Sequence, residues 1–237
     1  MQRILSIFLL SVITSVAHAQ LESISNTDAA SGVRQALTEG AAAAVSKLGI
    51  ENGFFANPQV KIPMPPALQK VEGVMRTFGM KKQADELVLS MNRAAEAAVP
   101  EAKQLLVDAA KRMTLQDAKG ILTGGQTSVT DYFKRTTSAQ LTQRFLPIVK
   151  NATDRVGLAQ QYNSLAGQAS SYGLVKKDQS TIESYVTQKS LDGLYFMIGE
   201  QEKSFRSNPL GATSDIVKGF RRAEITVPVR GRTTVAL

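Results

Sequence analysis

The chain has 237 residues, 43% of them hydrophobic but only 6% aromatic, with no cysteine, no tryptophan and a single histidine, His18. Disulfides and thiolate chemistry are excluded. Beyond position 18, so are a Ser-His-Asp triad, a Cys-His pair and a His-based metal site, which leaves carboxylate, Ser-Lys or tyrosine chemistry. The net charge of +8 favours anionic partners such as lipid headgroups and cell-wall polymers, and it also serves plain solubility.

The chain opens on Met1-Gln2-Arg3, continues in an apolar run from Ile4 to Val16, and reaches Ala17-His18-Ala19. A basic start, a short apolar stretch and a small-x-small site in that order predict a secretory signal peptide. The apolar run is too short for a permanent membrane span. The expectation is export to the periplasm, with cleavage after Ala19. No cysteine follows to carry a lipid, no transmembrane segment is expected in the mature chain, and nucleic acid is not an expected partner at that address. The predicted organisation is a signal peptide over 1–19, a helical domain over 20–220 and a flexible tail over 221–237.

The helical pattern then sets in. Val33, Leu37, Ala41, Ala44 and Leu48 recur at helical spacing, predicting a helix from Thr27 to Leu48 that Ser25 and Asp28 cap and Gly49 ends. Asn57-Pro58 and Pro63-Met64-Pro65-Pro66 make 51–66 a loop. A second helix begins at those prolines, with Leu68, Val71, Met75 and Phe78 as its stripe. Ala84, Leu87, Val88, Met91, Ala95 and Ala98 give the third, Lys81 to Val99, a clean apolar face. Pro100 kinks that helix or starts a fourth. Thr114 and Asp117 cap a short helix that ends near Thr123-Gly124-Gly125.

Next come a short helix over Ser128 to Arg135 and a long one that Ser138 caps, with Pro147 inside it. A weaker stretch follows from Leu158 to Tyr172. The last long helix, Thr181 to Phe205, is apolar all round from Leu194 to Ile198, which predicts a central position. Asn208-Pro209 ends it, and a short helix covers Ser214 to Phe220. Pro228 argues against a central strand in the β-branched tail. The predicted fold is all-α, an irregular bundle of roughly eight helices with a non-helical C-terminal tail.

Three places offer polar groups that a site would use. Asn92, Arg93 and Glu96 lie beside or opposite the main stripe of their helix, so they form a polar pocket or a structural ion-pair network. The expected pairings there are Arg93 with Asp131, or Arg135 with Glu96. Lys189 shares a face with Ile182, Tyr185 and Val186 and has Asp192 within a turn, which makes a binding pair or a clamp. Thr123-Gly124-Gly125-Gln126-Thr127 precedes a helix N-terminus whose free N–H groups suit an anion. No P-loop lysine follows it, so an ordinary turn is the plainer reading. No metal ligand set and no cofactor motif appear.

Several stretches together resemble a known bacterial family. They begin Phe54-Phe-Ala-Asn-Pro-Gln-Val-Lys-Ile-Pro-Met-Pro, Leu89-Ser-Met-Asn-Arg-Ala-Ala-Glu and Met113-Thr-Leu-Gln-Asp-Ala-Lys-Gly. Asp131-Tyr-Phe-Lys-Arg-Thr-Thr-Ser and Tyr185-Val-Thr-Gln-Lys-Ser-Leu-Asp-Gly-Leu complete the pattern. From about Ala29 to Phe220 the chain resembles the family called domain of unknown function 4197. The resemblance implies an exported α-helical protein of Gram-negative-type bacteria and assigns no catalytic residue. The tail from Arg221 departs from the family pattern.

Two functional readings follow. The first is a non-catalytic periplasmic protein that binds an envelope ligand, lipid or anionic, or a partner protein, with contact to an anionic membrane surface or the cell wall. The second is a carboxylate-dependent hydrolase or lyase of cell-wall glycan, with Glu96 or Glu101 as the acid. The absence of tryptophan and the scarcity of other aromatic platforms weigh against the second.

Overall fold

Helical spacing in the sequence becomes helix almost wherever it occurs in the computed structural model, which describes residues 26–70, 77–171, 173, 176 and 180–207. Among the described residues 79% are helical and none is in a strand, so the fold is all-α. Seven helices of nine residues or more are present among them: α1 Asn26–Leu48, α2 Lys81–Ala98, α3 Ala102–Lys111, α4 Leu115–Thr123, α5 Ser128–Thr153, α6 Gly157–Ser171 and α7 Ile182–Ser207. The expected leader and Ser25 cap, Val71 and Met75, the expected Asn208-Pro209 stop, the helix expected over 214–220 and the expected tail lie outside the described residues.

The two longest helices, α5 and α7, each 26 residues, pack along one another as the axis of the bundle. Helix α2 lies against both, and α1 packs on α3, α4 and α7. Leu194 is fully buried, and Tyr195, Met197 and Ile198 nearly so, which gives the apolar stretch of α7 its predicted central position. Phe196 alone in that stretch reaches solvent. Phe133, Phe145, Leu141, Leu87, Met91 and Leu106 fill the space between the helices.

Helix boundaries follow local chemistry. Thr114 Oγ1 accepts the Asp117 N–H at 3.1 Å while the Asp117 carboxylate accepts the Thr114 N–H at 3.2 Å. This reciprocal pair satisfies two of the donors that a helix start leaves open. Pro100 does begin a new segment: it sits in the 3₁₀ turn Val99–Glu101 that leads into α3. Proline suits a first turn because it has no N–H to lose there.

Two expectations are corrected. The helix over Ser128 to Arg135 and the one after Ser138 are a single helix, α5. Ser138 caps nothing; its hydroxyl is hydrogen-bonded to Tyr195 Oη at 3.0 Å. A serine or threonine signals a cap only when the backbone leaves a donor open, and mid-helix its hydroxyl turns to other partners. Thr137 does so too, donating to Phe133 O at 2.6 Å. The second correction concerns Phe78, expected on an apolar stripe. It is 78% exposed, next to a turn at Gly79 whose φ is +78°. The described helix at the prolines is short, Pro66–Gln69.

Candidate functional site

Backbone turns within the proline-rich loop 51–66 satisfy Gly53, Ala56, Asn57, Val60 and Lys61 but leave the N–H groups of Phe54, Phe55 and Ile62, and a buried backbone group without a partner costs folding energy. Helix α2 supplies the partners. Glu96, 5% exposed, accepts the N–H groups of Phe54 and Phe55 on Oε1, both at 3.0 Å. Its Oε2 accepts from Arg93 Nη1 at 2.5 Å. Arg93 Nη2 then donates to Glu51 Oε1 at 3.1 Å and to Asn52 Oδ1 at 3.0 Å. Asn52 has φ +68°, a left-handed conformation that asparagine tolerates better than most residues.

One turn away, fully buried Asn92 acts as a backbone clamp. Its Oδ1 accepts the Ile62 N–H at 2.9 Å, and its Nδ2 donates to Ile62 O at 2.9 Å and to Val88 O at 2.7 Å. From α7, Tyr185 Oη donates to Pro63 O at 3.1 Å. Phe55 has two cations near its ring, Lys61 Nζ 4.3 Å and Arg93 Cζ 5.7 Å from the ring centre. Asn92, Arg93 and Glu96 thus form one constellation, and its occupant is the protein's own loop.

The expected cross-helix pairings do not form. Arg93 pairs with Glu96 and Glu51, not with Asp131. Asp131 accepts from Thr127 Oγ1 at 3.0 Å, four residues back on its own helix start. Arg135 reaches Asp117 Oδ1 at 2.9 Å, not Glu96. Arg93 and Asp131 find partners within a turn or in the adjoining loop, while Arg135 finds the capping carboxylate of α4. Hydrogen bonding to Thr114, helped by Arg135, holds the Asp117 carboxyl below the usual carboxylate range. Lys189 Nζ and Asp192 Oδ2 lie 3.6 Å apart with side chains 43% and 52% exposed, an ion pair at the surface.

The start of α5, whose preceding segment reads most plainly as an ordinary turn, is closed by the protein's own Glu202, on α7. Its Oε1 accepts the Val129 N–H at 3.1 Å, and its Oε2 accepts the Thr130 N–H and Thr130 hydroxyl, both at 3.2 Å. Arg206, one turn on, donates to Glu202 Oε1 at 3.0 Å and to Ile121 O at 3.1 Å. Helix-start N–H groups and the aligned peptide dipoles together favour a negative group there.

A family model described as a protein of unknown function (DUF4197) matches residues 23–220. The chain belongs to the DUF4197 family. No curated protein and no solved structure matches it.

Three features of this DUF4197 chain escaped the sequence reading. Glu202 is one. Glu183 is another, 8% exposed, with both oxygens accepting from Asn163 Nδ2 at 2.9 and 3.0 Å while Asn163 Oδ1 accepts the Ile182 N–H at 2.7 Å. The third is Tyr195, held between Thr137 and Ser138 at 2.9 and 3.0 Å, whose phenol burial pushes up. The one legible signal was the spacing of Glu202 and Arg206, four residues apart on one helix. Between α1, α5 and α7, Leu37, Gly40, Val129, Phe133, Ile198 and Phe205 line a cavity of about 20 Å³, room for a single water and not for an acyl chain.

Proposed function

We propose that this DUF4197 protein is exported and acts without catalysis, binding an envelope component or a partner protein through its outer surface. The observation that supports this reading most directly is the fate of Glu96, the carboxylate best placed by sequence to be a catalytic acid. Both its oxygens are engaged by Phe54, Phe55 and Arg93 inside the fold. Neither is open to a sugar, so the glycan-cleaving alternative loses its first candidate. Glu101 is half exposed beside Arg144 at 3.7 Å, an ordinary surface pair. Export rests on the leader pattern before Gln20.

The test is native mass spectrometry on the chain purified from the envelope of its own host, together with turnover assays on cell-wall glycan. A discrete co-purified ligand or partner, with no turnover, is the expected result. Steady turnover abolished by a single carboxylate substitution would overturn the reading.

A further inference from the structure

The corner where α1, the α3–α4 turn and α4 meet α5 carries cations that the fold leaves unused. Three arginines from three elements surround buried Tyr132. Arg34 of α1 donates from Nε and Nη2 to Met113 O at 3.2 and 2.8 Å, which holds it beside Arg112 at the end of α3. Arg135 of α5 lies 5.7 Å from the Tyr132 ring centre, and Tyr132 Oη donates to Ala109 O at 2.7 Å. All three guanidinium charges bear on the Tyr132 phenol.

Lys111 and Lys119 are exposed on the same corner, and among the described residues Lys111, Arg112 and Lys119 have no acceptor for their charged heads. Of the acids nearby, Asp117 is paired with Arg135, while Asp131 and Asp108 accept only from neutral Thr127 and Gln104 and keep their charge, so the five cations of the corner outnumber its three acids. In the midst of the cations stands Leu115, the first residue of α4, 52% exposed and one turn from Lys119.

We infer that this corner docks the protein on an anionic phospholipid surface, with Arg112, Lys111 and Lys119 on headgroup phosphates and Leu115 in the acyl boundary. The inference rests on the envelope-binding reading and names its ligand class. Guanidinium groups match phosphate oxygens in a two-pronged geometry. Cations at the end of α3 and on α4, with an apolar side chain between them in sequence, complement a broad charged plane. A small anion in solution would need them to enclose it. Interfacial binding elsewhere uses the same pairing of basic groups with an inserted apolar one.

The test is co-sedimentation of the chain, purified from its own host, with phosphatidylethanolamine vesicles prepared with and without phosphatidylglycerol. Binding is expected only to the phosphatidylglycerol vesicles and should weaken as salt rises. Each cation removed should weaken it about fivefold, so Lys111→Ala with Arg112→Ala should cost about 25-fold. Leu115→Ala should weaken it as well. Lys82→Ala, an exposed lysine on α2, should leave it unchanged.

The charged heads of Lys111, Arg112 and Lys119 hold no bond within the described residues, and the circular dichroism of each variant checks that it folds. Equal weakening by Lys82→Ala, or no binding to anionic vesicles, overturns the inference. So does inorganic phosphate displacing the protein at an ionic strength where chloride does not, because the site would then be a soluble-phosphate site. A ligand retained in native mass spectrometry despite failed vesicle binding would leave the broader reading standing.

Discussion

The carboxylate of Glu202 on α7 accepts the backbone N–H of Val129 at 3.1 Å, across 73 positions of sequence. With the Thr130 N–H at 3.2 Å on its other oxygen, it closes the N-terminus of α5 from inside the fold. The last helix of the described chain is thereby fastened to the start of the helix it packs along. Side-chain burial gives that packing its bulk, and this contact helps to set its register.

Replacing Glu202 with Gln tests the point. Glutamine keeps the size but removes the charge, and its amide N–H₂ must face either Val129 or Thr130 N–H. The expected cost is about 2–4 kcal/mol, typical for a buried hydrogen-bonded charge that loses an acceptor. Urea denaturation midpoints measure it. A double-mutant cycle with Arg206→Met should give a coupling of about 1 kcal/mol or more. A Glu202→Gln chain as stable as the parent would mean that water already serves these donors.

The loop clamp makes a separate prediction. In Glu96→Gln the Arg93 guanidinium loses its buried carboxylate and keeps only exposed Glu51, and in Asn92→Asp the Ile62 carbonyl faces an oxygen in place of an N–H. Each should destabilise the chain by about 2–3 kcal/mol. Hydrogen exchange should quicken at Phe54, Phe55 and Ile62 before it quickens in the middle of α5, because the loop can open without the bundle. Uniform acceleration across the chain would show that loop and bundle open as one unit.

Gly193 offers a steric test. A Cβ placed there would meet Phe54 Cε1 at 2.7 Å, with Phe54 Cζ and Val60 Cβ at 3.3 Å. Alanine is better than glycine in a helix interior by about 1 kcal/mol. The clash should outweigh this, because Phe54 is fully buried and overpacking a tight core costs about 1–3 kcal/mol. Gly193→Ala should therefore lower the melting temperature, and adding Phe54→Leu should restore part of the loss by freeing space. A stabilised Gly193→Ala chain would mean that the ring moves aside at little cost.

Most of the helices were legible because period and caps agree. The apolar stripe of α2 and the Thr114–Asp117 pair each point to one answer. The join at Thr136-Thr137-Ser138 misled because hydroxyl residues read as caps, while here their oxygens bond back along α5 or across to Tyr195. In the candidate site, Asn92, Arg93 and Glu96 were found by their position off the apolar stripe. The loop partners of Asn92 and Glu96 were not found, because those are backbone groups of Phe54, Phe55 and Ile62. Side-chain patterns do not record which backbone N–H a loop leaves open. Arg135 illustrates the same limit: its partner, Asp117, belongs to a capping box 18 residues away.

Alkaline pH gives the last test. Tyr185 donates to Pro63 O at 3.1 Å, and burial pushes its phenol up to about 12. In the unfolded chain the same group titrates near pH 10. The folded-state value is the higher one, so the unfolded state loses its proton first as pH rises. Stability from Tyr185 is thus fully present below about pH 10 and is lost as pH climbs toward about 12. Burial raises Tyr132, Tyr162 and Tyr195 too, and all act in the same direction. Urea midpoints should accordingly fall across that window. Tyr185→Phe should cost about 1 kcal/mol at neutral pH, for the bond to Pro63 O, yet show a shallower alkaline decline. If the two chains decline in parallel, Tyr185 ionises as readily in the folded protein as in the unfolded one, and the loop above it is open to water.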